Sequence, residues 1–181
     1  MSADPVTLSS AEDPANQGAQ RPKRLALILS KGTLDQAYPP LVLATTAASM
    51  GWEVGIFFTF YGLDVVHKKR LPKLSVSPVG NPAMPPPIKG IPVRVPTLIG
   101  ALPGMKVAAT RMMKGWLTKA KLAPISELID IARELDVRLF ACNTTLAVMA
   151  VDPDDVIEGV EFAGAPTFLD FAGDADVQLF I

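Results

Sequence analysis

Two short apolar runs constrain this chain more than anything else in it. Leu25-Ala26-Leu27-Ile28-Leu29 is unbroken, and Glu53 to Phe60 is rich in Val, Ile, Phe and Thr. Such runs are typical of strands buried on both faces, as in a parallel sheet. Parallel neighbours need a crossover of a dozen residues or more, usually a helix. The stretch between the runs supplies one, from about Leu34 to Met50, with Gly51 as its stop. The Pro39-Pro40 pair marks where regular helix can begin. Strand, helix, strand is a βαβ unit with a right-handed crossover, so the fold class is α/β with a mostly parallel sheet.

The rest of the chain extends this plan. Residues 1–22 are polar and small without periodicity and read as a disordered tail, leaving 23–181 as a single domain. Tyr61 to Val66 is a turn and short helix, closed by His67-Lys68-Lys69-Arg70. Residues 71–104 are dense in proline and glycine and form an insertion that cannot be regular helix or central strand. An insertion of that length is a lid, an interface arm or disorder. Its Val76, Ile88, Ile91, Val93, Leu98 and Ile99 argue for something that packs. Met105 to Leu122 is a basic, Met-rich amphipathic helix. Its apolar stripe includes Ala109, Met112, Met113, Trp116 and Leu117, and its charge lies on Lys106, Arg111, Lys114, Lys119 and Lys121. After Pro124 a helix runs to about Asp136, and a third strand spans Val137 to Ala141. A helix starts near Thr145, a small-residue turn and helix spans 163–172, and a last strand spans Asp176 to Ile181.

Charge is segregated along the chain. Residues 1–64 hold four Lys/Arg and six Asp/Glu, residues 65–126 eleven Lys/Arg and no acid, and residues 127–181 two Arg and twelve acids. The basic middle must meet an anionic ligand, an acidic partner, a membrane surface or the acidic third of another copy. It has little aromatic interleaving and no RNP-like motif, so nucleic acid is not expected. The chain shows no run long enough to span a bilayer uninterrupted by charge or proline. Residues 1–22 lack the apolar core of a secretory signal.

There is one cysteine, Cys142, which rules out an intramolecular disulfide, a Cys-based zinc cage and a resolving cysteine in the same chain. With no disulfide framework, a reducing cytoplasm is the default location. Cys142 follows the third apolar run and precedes Asn143-Thr144-Thr145, where unpaired N–H groups and a helix start favour thiolate over thiol. A buried packing role is the bland alternative. Asn143 and Thr144 are N-cap types and candidate donors to the sulfur. The Ser30-Lys31-Gly32-Thr33 loop lacks the phosphate-binding glycine patterns but stands beyond the carboxyl end of the first strand, where ligands of open α/β sheets bind. Ser30, Gly32 and Thr33 are therefore candidate walls of the site. His67 is the sole histidine. With no second histidine or nearby acid it is a poor metal ligand, and it reads as a surface residue in a basic run. No cofactor or metal is expected.

Ala141-Cys142-Asn143-Thr144-Thr145-Leu146-Ala147-Val148-Met149 resembles the DsrE/DsrF-like family of sulfur-relay proteins. Gly159-Val160-Glu161, Ala165-Pro166-Thr167-Phe168-Leu169 and Ala175-Asp176-Val177-Gln178-Leu179-Phe180-Ile181 add to the likeness, which covers about residues 23–181. The opening strand, Phe60-Tyr61-Gly62-Leu63 and the Met/Lys-rich helix look like the longer branch, sometimes labelled peroxiredoxin-like. That branch often has Met, Ser or Thr just after the cysteine, where this chain has Asn143-Thr144-Thr145, and often Gly after Val-Met, where this chain has Ala150. The resemblance implies a three-layer flavodoxin-like fold, homo-oligomers, and a cysteine, here Cys142, that carries sulfur as a persulfide or thiosulfonate between donor and acceptor proteins or anionic sulfur compounds.

Sulfur transfer by Cys142 is the leading expectation, of the sulfurtransferase-carrier type. The alternative is a non-catalytic homo-oligomeric docking protein whose basic helix binds an acidic partner or a membrane-associated enzyme, with peripheral membrane contact the less favoured form. Peroxide reduction is disfavoured, because a sulfenic acid needs a partner thiol for recycling.

Overall fold

A computed structural model describes residues 21–77 and 104–181. Five strands form one sheet: β1 (Arg24–Leu29), β2 (Glu53–Phe58), β3 (Arg138–Cys142), β4 (Val160–Ala163) and β5 (Val177–Phe180). Their order is β4-β3-β2-β1-β5, and every pairing is parallel. The α/β expectation holds, and among the described strands the sheet is wholly rather than mostly parallel. The helices are α1 (Leu34–Ser49), α2 (Met105–Lys119), α3 (Ile125–Glu134), α4 (Asn143–Val148) and α5 (Ala165–Gly173), with 3-10 turns at Phe60–Val66, Leu71–Lys73 and Pro153–Asp155. Among the described residues no helix is long and apolar enough to cross a membrane.

Strand alternation sorts the core into two layers. Leu25, Leu27, Leu29, Ile56, Phe58, Leu139 and Ala141 face α1 and α3, meeting Leu41, Ala44, Leu128, Ile129 and Ala132. Ala26, Phe57, Phe140 and Cys142 face the other way, onto Phe168, Phe171 and Ala172 of α5. The α5 connection must cross the sheet, because it joins β4 at one edge to β5 at the other. Gly55 lets it come close: a Cβ there would meet the Phe171 ring. Phe57 and Phe168 stack at 4.8 Å between ring centroids, and Phe140 meets Phe168 edge-on at 5.9 Å.

Helix α1 starts at Leu34, as the sequence reading has it, and carries Pro39 and Pro40 inside it, so regular helix does not wait for the proline pair. Its first turn is already closed by Gln36 and Ala37 N–H groups on the Thr33 carbonyl, and by Leu34 N–H on Ser75 O at 2.9 Å. The prolines lack the N–H groups of two helical bonds, and Pro40 is fully buried against the core. Helix α4 begins at Asn143, two residues early, with Cys142 itself as N-cap and no side-chain capping bond. His67 is not a surface residue: it is 5% exposed, bridges Val156, and takes the Lys69 N–H on Nδ1 at 3.2 Å. Burial and the nearby Arg70 hold its imidazole below the usual range.

Arg21 and Pro22, from the expected tail, are described, and Arg21 pairs with Asp176 at 3.3 Å. Residues 1–20 of that tail and 78–103 of the expected insertion lie outside the described residues. The basic helix rests a half-buried stripe of Ala109, Met113 and Leu117 on the α1/α3 side of the core and exposes its lysines.

Candidate functional site around Cys142

Cys142 ends β3 on the face covered by α5 and is 7% exposed. The register sets its neighbour. Phe57 pairs with Phe140 and Phe58 with Ala141, so the residue after β2, Thr59, comes level with Cys142 and continues the Phe57 face. From the other side α4 brings Thr145, 3% exposed, over the sulfur. Thr59 Oγ1 and Thr145 Oγ1 lie 3.1 Å apart, and the Phe60 N–H donates to Thr145 Oγ1 at 3.2 Å.

Burial pushes the Cys142 thiol up, as it does any group that ionises to an anion. Hydrogen bonds outweigh it. The Thr145 hydroxyl, the Thr145 N–H, the Thr59 hydroxyl and the Thr144 N–H all favour the thiolate, and the net effect holds the thiol below its ordinary value. A helix of six residues has little dipole to add; the activation is local hydrogen bonding.

The remaining expected site residues fall in three places. The Thr144 N–H favours the thiolate, whereas the Asn143 and Thr144 side chains are exposed. Ser30 closes the boundary between β1 and β5, its N–H and hydroxyl both on Ile181 O at 2.9 and 3.1 Å. Gly32 lies against the Tyr61 carbonyl, where no Cβ would fit, and Thr33 is the N-cap of α1. These three follow β1, two strands from β3, about 10 Å across the sheet. Sequence reasoning missed Thr59 and treated Thr145 only as a helix start. The signal was the strand pairing, since a threonine one residue past β2 falls beside a cysteine ending β3.

Beside the sulfur, Phe60 is 58% exposed with φ of 47°, in the left-handed region that a bulky side chain rarely adopts. Gly62 follows because its α-carbon lies under the Leu29 carbonyl, leaving no room for a Cβ. The tight turn thus aims the Phe60 N–H at Thr145. Among the described residues no group of three His, Cys, Asp or Glu side chains could hold a metal ion.

The model of the DsrE/DsrF/DrsH-like family matches residues 21–180. Sulfur carrier protein DsrE2 of Allochromatium vinosum is 46% identical over 159 residues, covering 88% of this chain and 98% of that protein. Uncharacterized protein YrkE of Bacillus subtilis is 26% identical over 165 residues, covering 90% of this chain and 99% of that protein.

Proposed function

Because this chain belongs to the DsrE/DsrF/DrsH-like family, we propose that it is a sulfur carrier that loads sulfur on Cys142 and passes it to the thiol of an acceptor protein. The observation that carries the reading is the buried threonine pair, Thr59 and Thr145, set at 3.1 Å from each other where β3 ends in Cys142, an environment that holds the thiol below its ordinary value despite burial. The relative DsrE2, named a sulfur carrier, supports the class of activity.

The chemistry needs one cysteine. The Cys142 thiolate attacks the outer sulfur of a donor persulfide, forms Cys–S–SH and releases the donor thiolate. From tetrathionate it forms Cys–S–S–SO3⁻ and releases thiosulfate. Either loaded form extends the side chain by one or more S–S bonds of about 2.0 Å. An acceptor thiolate then takes the outer sulfur and frees Cys142. The hydroxyls and N–H groups that favour the thiolate also favour the terminal anion of a persulfide. The same reading places the protein in a reducing cytoplasm and in a homo-oligomer, with donor and acceptor proteins as partners.

The test is the intact mass of the protein after incubation with thiosulfate, tetrathionate or a small persulfide, beside Cys142→Ser, with and without reductant. A reductant-reversible gain of sulfur or of a thiosulfonate group on the wild type alone is expected. Failure of every donor to load, while a thiol reagent still labels Cys142, overturns the reading.

A further inference from the structure

A second feature stands apart from the sulfur. A cavity of about 1120 Å³ opens among the loop after β1, the two 3-10 turns that follow β2 and the start of α2, and neither Cys142 nor its threonine partners line it. Its walls bring basic residues from several elements together. Two of these are matched: Arg70 pairs with Asp64 at 2.8 Å and Lys69 with Asp155 at 2.7 Å. Lys31, Lys73 and Lys106 also line it, from three different elements, and have no acidic partner among the described residues. The remaining carboxylate on the wall, Asp35, accepts the Ser77 N–H at 2.9 Å. The hollow therefore carries net positive charge, and three like charges around one concavity repel unless an anion joins them.

We infer that this cavity is a binding site for a small multivalent oxyanion, a molecule bearing two or more phosphate or sulfonate groups. Lysines suit such groups as point charges. The volume exceeds that of a single oxyanion and suits a small organic ligand. The site is independent of sulfur loading at Cys142.

Calorimetric titration of the full chain with inorganic pyrophosphate and, separately, ethane-1,2-disulfonate tests this, with acetate as the monovalent control. Saturable binding of one or both multivalent anions near one per chain is expected, and the tighter probe tells phosphate from sulfonate ligands. Lys31→Ala with Lys73→Ala should weaken it roughly tenfold or more. Lys119→Ala, outside the cavity, should leave it within about twofold, and Cys142→Ser should bind like wild type. Absence of saturable binding for both probes in the millimolar range overturns the inference. So does equal weakening by Lys119→Ala, which would mean diffuse attraction to the basic surface. Because binding is read on Cys142→Ser as well, failure here is distinct from failure of the carrier reading.

Discussion

The hydroxyl oxygens of Thr59 and Thr145 lie 3.1 Å apart beside the end of β3, and both hydroxyls favour the thiolate of Cys142. Each hydroxyl has one hydrogen to give. The Phe60 N–H already occupies one lone pair of Thr145 Oγ1, and either hydroxyl can donate across the 3.1 Å contact to the other. An anion at the sulfur favours the arrangement in which both hydrogens turn to it.

Thr145→Val removes a hydroxyl with almost no change of shape. It should raise the Cys142 pKa and slow alkylation by iodoacetamide several-fold at pH 7. It also leaves the Phe60 N–H without its acceptor, at a cost of about 1–3 kcal/mol in denaturant unfolding. Thr59→Val should slow alkylation less, and the double variant should lose less than the two single losses added. An unchanged pH–rate profile in Thr145→Val would remove the hydroxyl from the account of activation.

Stability should depend on pH through the same thiol. The folded value lies below the ordinary 9.0. Between the two values the unfolded chain holds a proton that the folded chain has lost, so stability rises with pH across that window. The contribution is complete above pH 9.0 and is lost as pH falls through the folded value. Urea unfolding of wild type and Cys142→Ala at several pH values isolates it. The stability difference should move in favour of wild type as pH rises, and a flat difference would show a thiol no easier to ionise folded than unfolded.

Gly62→Ala tests the turn that supports the site. A Cβ at Gly62 would run into the Leu29 carbonyl, which is backbone and cannot swing aside. A destabilisation of about 2–3 kcal/mol is expected. The displaced turn should also carry the Phe60 N–H off Thr145, so alkylation at pH 7 should slow as well. A variant that unfolds like wild type would mean the turn shifts at little cost.

Much of this was legible in the residues. The runs at β1, β2 and β3 showed themselves because strands buried on both faces must be apolar throughout, and composition alone marks them. Cys142 stood out because one cysteine occurs and it closes one of those runs. The local rules failed where a contact from elsewhere overrode them. The Pro39-Pro40 pair suggested a regular helix that waits for it, but the Thr33 and Ser75 carbonyls close the first turn of α1 from Leu34, the start expected from the sequence. A histidine in a basic run looked solvated, but the bridge to Val156 buries His67.

The sequence by itself determined the parallel α/β layering and the position of the one sulfur, because hydrophobic periodicity and residue identity are properties of the chain alone. Only the tertiary structure decided what surrounds that sulfur. Thr59 and Thr145 are 86 residues apart, and they meet because β2 pairs with β3 in one register and α4 turns back over the joint. The gathering of Lys31, Lys73 and Lys106 at one hollow has the same origin. A hydrogen bond or a field between distant segments is set by distance in space, and only the packed fold supplies that distance.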